Sequence, residues 1–284
     1  MKKILPALIT GLLLSSATHA DENPVTAEKL SDSVYVLFGQ GGNIAASVGE
    51  DGIYIIDDQF AKLSNDIKKT ISNLKPGSAE FVINTHHHGD HTGGNENFAK
   101  AGAHVIAHDN VHKRLEEKHG ANSDYLPRIS FGHDLKLHFN NEHAHVVHYA
   151  RAHTDGDAVI FFNNDNIVHM GDIYFNFGSL PFVDVDSGGS VDGILAAVND
   201  VIEQIDERTI VIPGHGPVSD RSGLEAYAKL VKKAKDLMLK AMQNNASLEQ
   251  VLKADPLATL NLKYAGWLPK EKVTTLFYRS LKYV

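Results

Sequence analysis

The feature that most limits what this chain can become is Thr85-His86-His87-His88-Gly89-Asp90-His91, which follows the short apolar stretch Phe81-Val82-Ile83-Asn84. A loop leaving a strand can turn His86 and His88 toward one point and Asp90 and His91 toward a second. Gly89, Gly93 and Gly94 let the backbone take the tight course this requires. Imidazole and carboxylate are the ligands zinc accepts where thiolate is absent, and the chain has no cysteine. A solvated histidine-rich surface run is the plain alternative, but such a run needs no matching residues elsewhere.

Matching residues are present. His153 stands in Ala152-His153-Thr154-Asp155-Gly156-Asp157, just before a strand-like run. Asp172 follows another in Met170-Gly171-Asp172, and His215 follows a third in Pro213-Gly214-His215-Gly216-Pro217. Strand ends and the loops beyond them are where scaffolds mount chemistry. Each residue alone is weak, because a single histidine more often packs or hydrogen-bonds. In this order, after the His-x-His-x-Asp-His run, they point to a metal site.

These ordered motifs resemble those of the metallo-β-lactamase superfamily over nearly the whole chain beyond its first segment. The resemblance implies an α/β fold, a four-layer αββα sandwich with the site at one rim of two facing sheets. It implies two zinc ions (Zn2+) per chain. His86, His88 and His153 would hold one, Asp90, His91 and His215 the other, and Asp172 would bridge them. Asp57, in Ile55-Ile56-Asp57, would support the ligand loop, and Asp90 would orient a water and pass on its proton. Two ions about 3.5–4 Å apart can share one water and bring its pKa from near 16 toward roughly 7. The reaction implied is the opening of an amide or ester bond in a small-molecule substrate.

Departures from the family pattern sharpen this. The best-known β-lactamase subclass places cysteine at the Asp172 position and lysine three residues on, where it grips the lactam carboxylate. Here Asp172 and Phe175 stand there, with no lysine or arginine between Asp172 and Ile205. Weak, chelator-sensitive β-lactam hydrolysis is the expectation, rising in Phe175→Lys if the loop points into the site. The bridging Asp is the pattern of glyoxalase II and the lactonases, but against glyoxalase II the C-terminal region shows no basic set suited to holding glutathione beyond Arg279 and Lys282. Two other classes compete. An iron sulfur dioxygenase would need only His86, His153 and Asp172, and a zinc-scavenging protein would need no bridging carboxylate.

Composition excludes other roles. A net charge of −8 disfavours a grip on phosphate backbones, so no nucleic-acid partner is expected. Residues 1–20 have a Lys2-Lys3 head, a short apolar run and small residues before Asp21, the form of a signal peptide rather than a membrane anchor. The expected product is a periplasmic or secreted domain over residues 21–284; nothing in the pattern fixes its oligomeric state. Strands are predicted at 34–38, 44–48, 53–56, 81–84, 104–107, 135–139, 144–149, 158–162, 167–170 and 209–212. Helices are predicted at 61–74, 96–101, 110–118, 191–205, 224–243, 248–253 and 272–282, with a polar lead at 21–32.

Among the remaining candidates, His87 is expected to point away from the metals and His169 to pack or hydrogen-bond beside them. His143, His145 and His148 read as a solvated strand face. Tyr174, Asn176 and the Gln59-Phe60 loop are within sequence reach of a substrate, and packing is the plainer role for each. Trp267 reads as a hydrophobic anchor for the C-terminal helices.

Overall fold

The structure, a computed structural model, describes residues 24–282. The segment 1–20 read as a signal peptide lies outside the described residues. Seven strands form the first sheet in sequence order: β1 (Thr26–Lys29), β2 (Val34–Phe38), β3 (Ile44–Val48), β4 (Ile53–Ile56), β5 (Phe81–Ile83), β6 (His104–His108) and β7 (Ile129–Phe131). It begins as an antiparallel meander and turns parallel from β4 onward. The helices α1 (Ser64–Leu74), α2 (Gly89–Thr92), α3 (Asn95–Ala99) and α4 (Asp109–His119) lie within its crossovers.

The second sheet contains β8 (Asp134–Phe139), β9 (Glu142–Tyr149), β10 (Asp157–Phe162), β11 (Ile167–His169), β12 (Ile210–Ile212) and β13 (Ser219–Asp220), again in sequence order. Only β11 and β12 run parallel. The crossover between them holds α5 (Val191–Gln204), and α6 (Arg221–Ala241), α7 (Leu248–Ala254) and α8 (Lys270–Lys282) follow.

Side-chain alternation builds the layers. On β4, Tyr54 and Ile56 face the second sheet while Ile53 and Ile55 face α1 and α3. On β10, Ala158, Ile160 and Phe162 turn inward between the sheets, and Val159 and Phe161 turn out toward α5 and α6. Both faces are therefore buried, which is why these strands read as continuous apolar runs. The result is the predicted four-layer αββα sandwich. Most predicted elements form within a few residues of their predicted bounds. β1 replaces part of the predicted polar lead, because an all-exposed edge strand carries no apolar alternation to read.

Candidate metal centre

All seven predicted ligands gather at one rim, on loops leaving the ends of β5, β9, β11 and β12. Asp57 organises the first loop from just past β4. Its carboxylate accepts hydrogen bonds from Thr85 N at 2.7 Å, Thr85 Oγ1 at 2.8 Å and His91 Nδ1 at 2.7 Å. One turn of helix, α2, then carries Asp90 and His91. Across the rim, Gly171 has φ +50 and packs on Thr85, so a side chain there would be strained and crowded. Gly214 lies so near Asp172 Oδ1 that a Cβ would fall 2.1 Å from it. The loop bearing His215 is clamped by Asn43, whose amide donates to Pro213 O and Gly216 O, each at 2.8 Å.

Outer hydrogen bonds decide which ring nitrogen faces inward. His153 donates from Nδ1 to Phe182 O at 2.6 Å, His88 from Nε2 to Asp184 Oδ2 at 2.9 Å, and His91 from Nδ1 to Asp57. Their other nitrogens are thereby turned toward the site, where each can offer a lone pair to a metal ion. His86 Nε2 and His153 Nε2 lie 3.1 and 3.0 Å from His88 Nδ1. Converging lone pairs repel one another unless a cation or proton lies between them.

Asp172 divides its carboxylate between two such groups. Oδ2 is 3.7 Å from His86 Nε2 and 3.6 Å from His153 Nε2. Oδ1 is 3.1 Å from His91 Nε2 and 3.4 Å from His215 Nε2, and Asp90 Oδ2 is 3.2 Å from that same His215 nitrogen. Among the described residues, His91 Nε2, His215 Nε2 and Asp172 Oδ1 are buried without a hydrogen-bond partner. Buried polar atoms are seldom left so, and a divalent ion in each group would satisfy them. The donor set of imidazole and carboxylate fits zinc.

Electrostatics agree with a site short of positive charge. Burial opposes a charge on His91, yet Asp172, Asp57 and Asp90 override it and hold the imidazole well above its usual range. Against the effect of burial, half-buried His215 is pushed up to about 9 by Asp172 and Asp90. Burial also opposes charge on Asp172, but His91 and His215 keep its carboxyl well below the usual range. Burial lowers His153 to about 4 and holds His86 far down, so both present neutral rings.

Several expectations change. Trp267 is not a buried anchor: it is 49% exposed and lines a cavity of about 540 Å³ over the ligands, with Phe60, Phe182, Gln40 and Lys272. The Asp172 loop has no cation of its own, but Lys272 reaches this cavity from α8. Phe175 is 1% exposed and packs against the His215 and His153 rings, so its loop does not present that position to a substrate. Tyr174 is buried and bonded to Ser219, Asn176 donates to Pro217 O, and Gln59 is buried, clamping Gly41 and Gly42. Of that group only Phe60 lines the cavity.

His169 hydrogen-bonds Asn43 O beside the site, and His87 turns toward Ser187 and Asp184. His145 pairs with Asp134 on the strand face, while His148 leaves that face to stack on His108. Asp184, Asn43, Phe182 and Lys272 escaped the sequence reading. Each reaches the site from another element, without a motif around it.

Comparison with known proteins adds a family. Residues 63–237 match the family model described as the metallo-beta-lactamase superfamily. The chain is 30% identical over 156 residues to the hydroxyacylglutathione hydrolase of a Polaromonas species, covering 53% of this chain and 54% of that one. It is 27% identical over 152 residues to a probable hydroxyacylglutathione hydrolase of Schizosaccharomyces pombe, covering 52% of each. The chain thus spans about half the length of the curated relatives it matches. Among solved structures, the metallo-beta-lactamase from Pontibacter korlensis superposes with a TM-score of 0.65 at 16% identity, covering 73% of this chain and 99% of that one. The DIM-1 metallo-beta-lactamase gives 0.65 at 17% identity, covering 74% and 98%.

Proposed function

The chain belongs to the metallo-β-lactamase superfamily, and from that premise we propose that it is a two-zinc hydrolase cleaving an ester, thioester or amide bond in a small molecule. The single observation that carries this is Asp172, whose two oxygens serve two inward-facing ligand groups. His86, His88 and His153 would hold one ion, and Asp90, His91 and His215 the other. Ions bound there supply a carbonyl-polarising charge and acidify water to near neutrality.

The chain's own groups do the rest. Asp90 lines the cavity, and although burial opposes its charge, His91 and His215 keep its carboxyl below the usual range. Its Oδ2 is placed to orient an attacking water, take its proton and return it to the leaving group. Phe60, Phe182 and Trp267 form apolar walls that seat the substrate and thin the water around it. The names of the curated relatives favour a thioester among the possible substrates. The complete Asp90, His91 and His215 group favours two ions over an iron dioxygenase, which would need only one.

The test is a panel of chromogenic esters, thioesters, lactones and β-lactams, run on zinc-loaded and on chelator-treated protein. Turnover of at least one, lost with the metal and in Asp90→Asn, supports the proposal. Absence of chelator-sensitive turnover across the panel rejects it. Export is part of the same proposal, resting on residues 1–20. Exported protein should begin at Asp21, and a mass that retains Met1 would refute cleavage.

A further inference from the structure

The mouth of the cavity has a composition that metal chemistry does not require. Lys272, in the first turn of α8, lays its ammonium 4.8 Å from the Phe182 ring centroid and donates to Trp267 O at 3.3 Å. Among the described residues it has no carboxylate partner, unlike Lys235, Lys270 and Arg279 nearby in the C-terminal layer. The ammonium carries three donors and this contact uses one. Trp267 stands beside it, half exposed, with its ring 5.8 Å from that of His215. An exposed aromatic face beside an ammonium with two donors to spare places an apolar wall and an anion-binding head side by side at the cavity mouth.

We propose that Lys272 and Trp267 form the specificity pocket of this hydrolase, taking a small carboxylate with an aromatic or branched apolar body. The body would lie against Trp267 and Phe182, and the carboxylate would accept from Lys272 Nζ. A single ammonium suits one carboxylate better than a phosphate ester, which calls for more donors. The pocket belongs to the C-terminal segment, beyond the residues 63–237 that match the family model. It can thus distinguish this chain's substrate from those of proteins sharing only the metal site. The inference rests on the reading of this cavity as a hydrolase's substrate site.

Trp267 is the only tryptophan in the chain, so its emission, excited selectively over that of the tyrosines, reports on this pocket alone. Zinc-loaded protein is titrated with 3-phenylpropionate and with its neutral analogue 3-phenylpropionamide. The carboxylate should bind about five- to ten-fold more tightly, near 1–1.4 kcal/mol for an ammonium partly open to water. Lys272→Met keeps the apolar stem and should abolish most of that preference, whereas Lys272→Arg should keep it. Affinity of the carboxylate for the metal centre persists in both variants, so the pocket is read from the drop in preference between wild type and Lys272→Met and not from the preference alone. Equal binding of acid and amide, or a preference unchanged in Lys272→Met, overturns the proposal. Should the preference hold while no ester, thioester or lactam is turned over, the hydrolase reading fails and the anion pocket stands. If turnover is found without the preference, the pocket alone is wrong.

Discussion

At the residue scale, the groups behind the ligands set the site as firmly as the ligands do. Asp184 holds His88 by Nε2 and so delivers Nδ1 inward. Partners of this kind typically account for 10–100-fold in metal affinity. Asp184→Ala should weaken zinc binding at the His86, His88 and His153 group by about that factor, read by competition with a chromogenic chelator. Unchanged affinity would mean that His88 is held by the loop alone. Phe175 teaches the opposite lesson. It has the right spacing from Asp172 for a substrate-gripping lysine, yet its ring is buried against His215. Phe175→Lys should therefore destabilise the fold by about 3 kcal/mol, through lost packing and a buried charge. Thermal melts read this, and a variant as stable as wild type with faster lactam turnover would contradict it. The seven ligands were legible because each sits in a short motif at a strand end. Asp184 and Lys272 were not, because His88 meets Asp184 across 96 residues and Lys272 arrives from the last helix.

At the element scale, the segment from β9 to β10 shows how one turn aims a ligand. Asp157, at the start of β10, accepts from Thr154 N and Thr154 Oγ1, both at 2.7 Å, and so closes the turn that carries His153. Burial raises its pKa from 3.8 to about 7, against those two hydrogen bonds. Between these values the unfolded chain has released a proton that the folded chain keeps, so stability must fall as pH rises. The contribution is complete below the unfolded value and gone above about 7. Asp157→Asn cannot titrate, and its amide group opposes the Thr154 donors. The stability gap between wild type and this variant, from urea unfolding, should be larger at pH 5 than at pH 8. A gap that grows with pH would show that Asp157 is ionised in the folded protein. Strands such as β10 were legible from apolar runs bounded by turns. β1 was not, since its four exposed residues pair through backbone alone.

At the scale of the whole molecule, the site joins the two halves of the sandwich. His86, His88, Asp90 and His91 belong to the first sheet's loops, and His153, Asp172 and His215 to the second's. An ion bound by both halves binds only the folded chain, so occupancy must stabilise it. At a free concentration of 1,000 times Kd, each ion contributes about 4 kcal/mol. For a chain of this size two such ions should raise Tm by on the order of ten degrees or more. Wild type should take up two equivalents of zinc by elemental analysis after gel filtration. His153→Ala removes a ligand from one group and His215→Ala from the other, so each should retain about one equivalent and part of the thermal gain. Asp172→Ala differs in kind, because one carboxylate serves both groups and offsets the repulsion between two dications. It should lose affinity at both positions and most of the zinc-dependent rise in Tm, although it removes no more ligand residues than either histidine variant. Two equivalents bound to Asp172→Ala at wild-type affinity would show that the two groups act independently and that Asp172 bridges nothing.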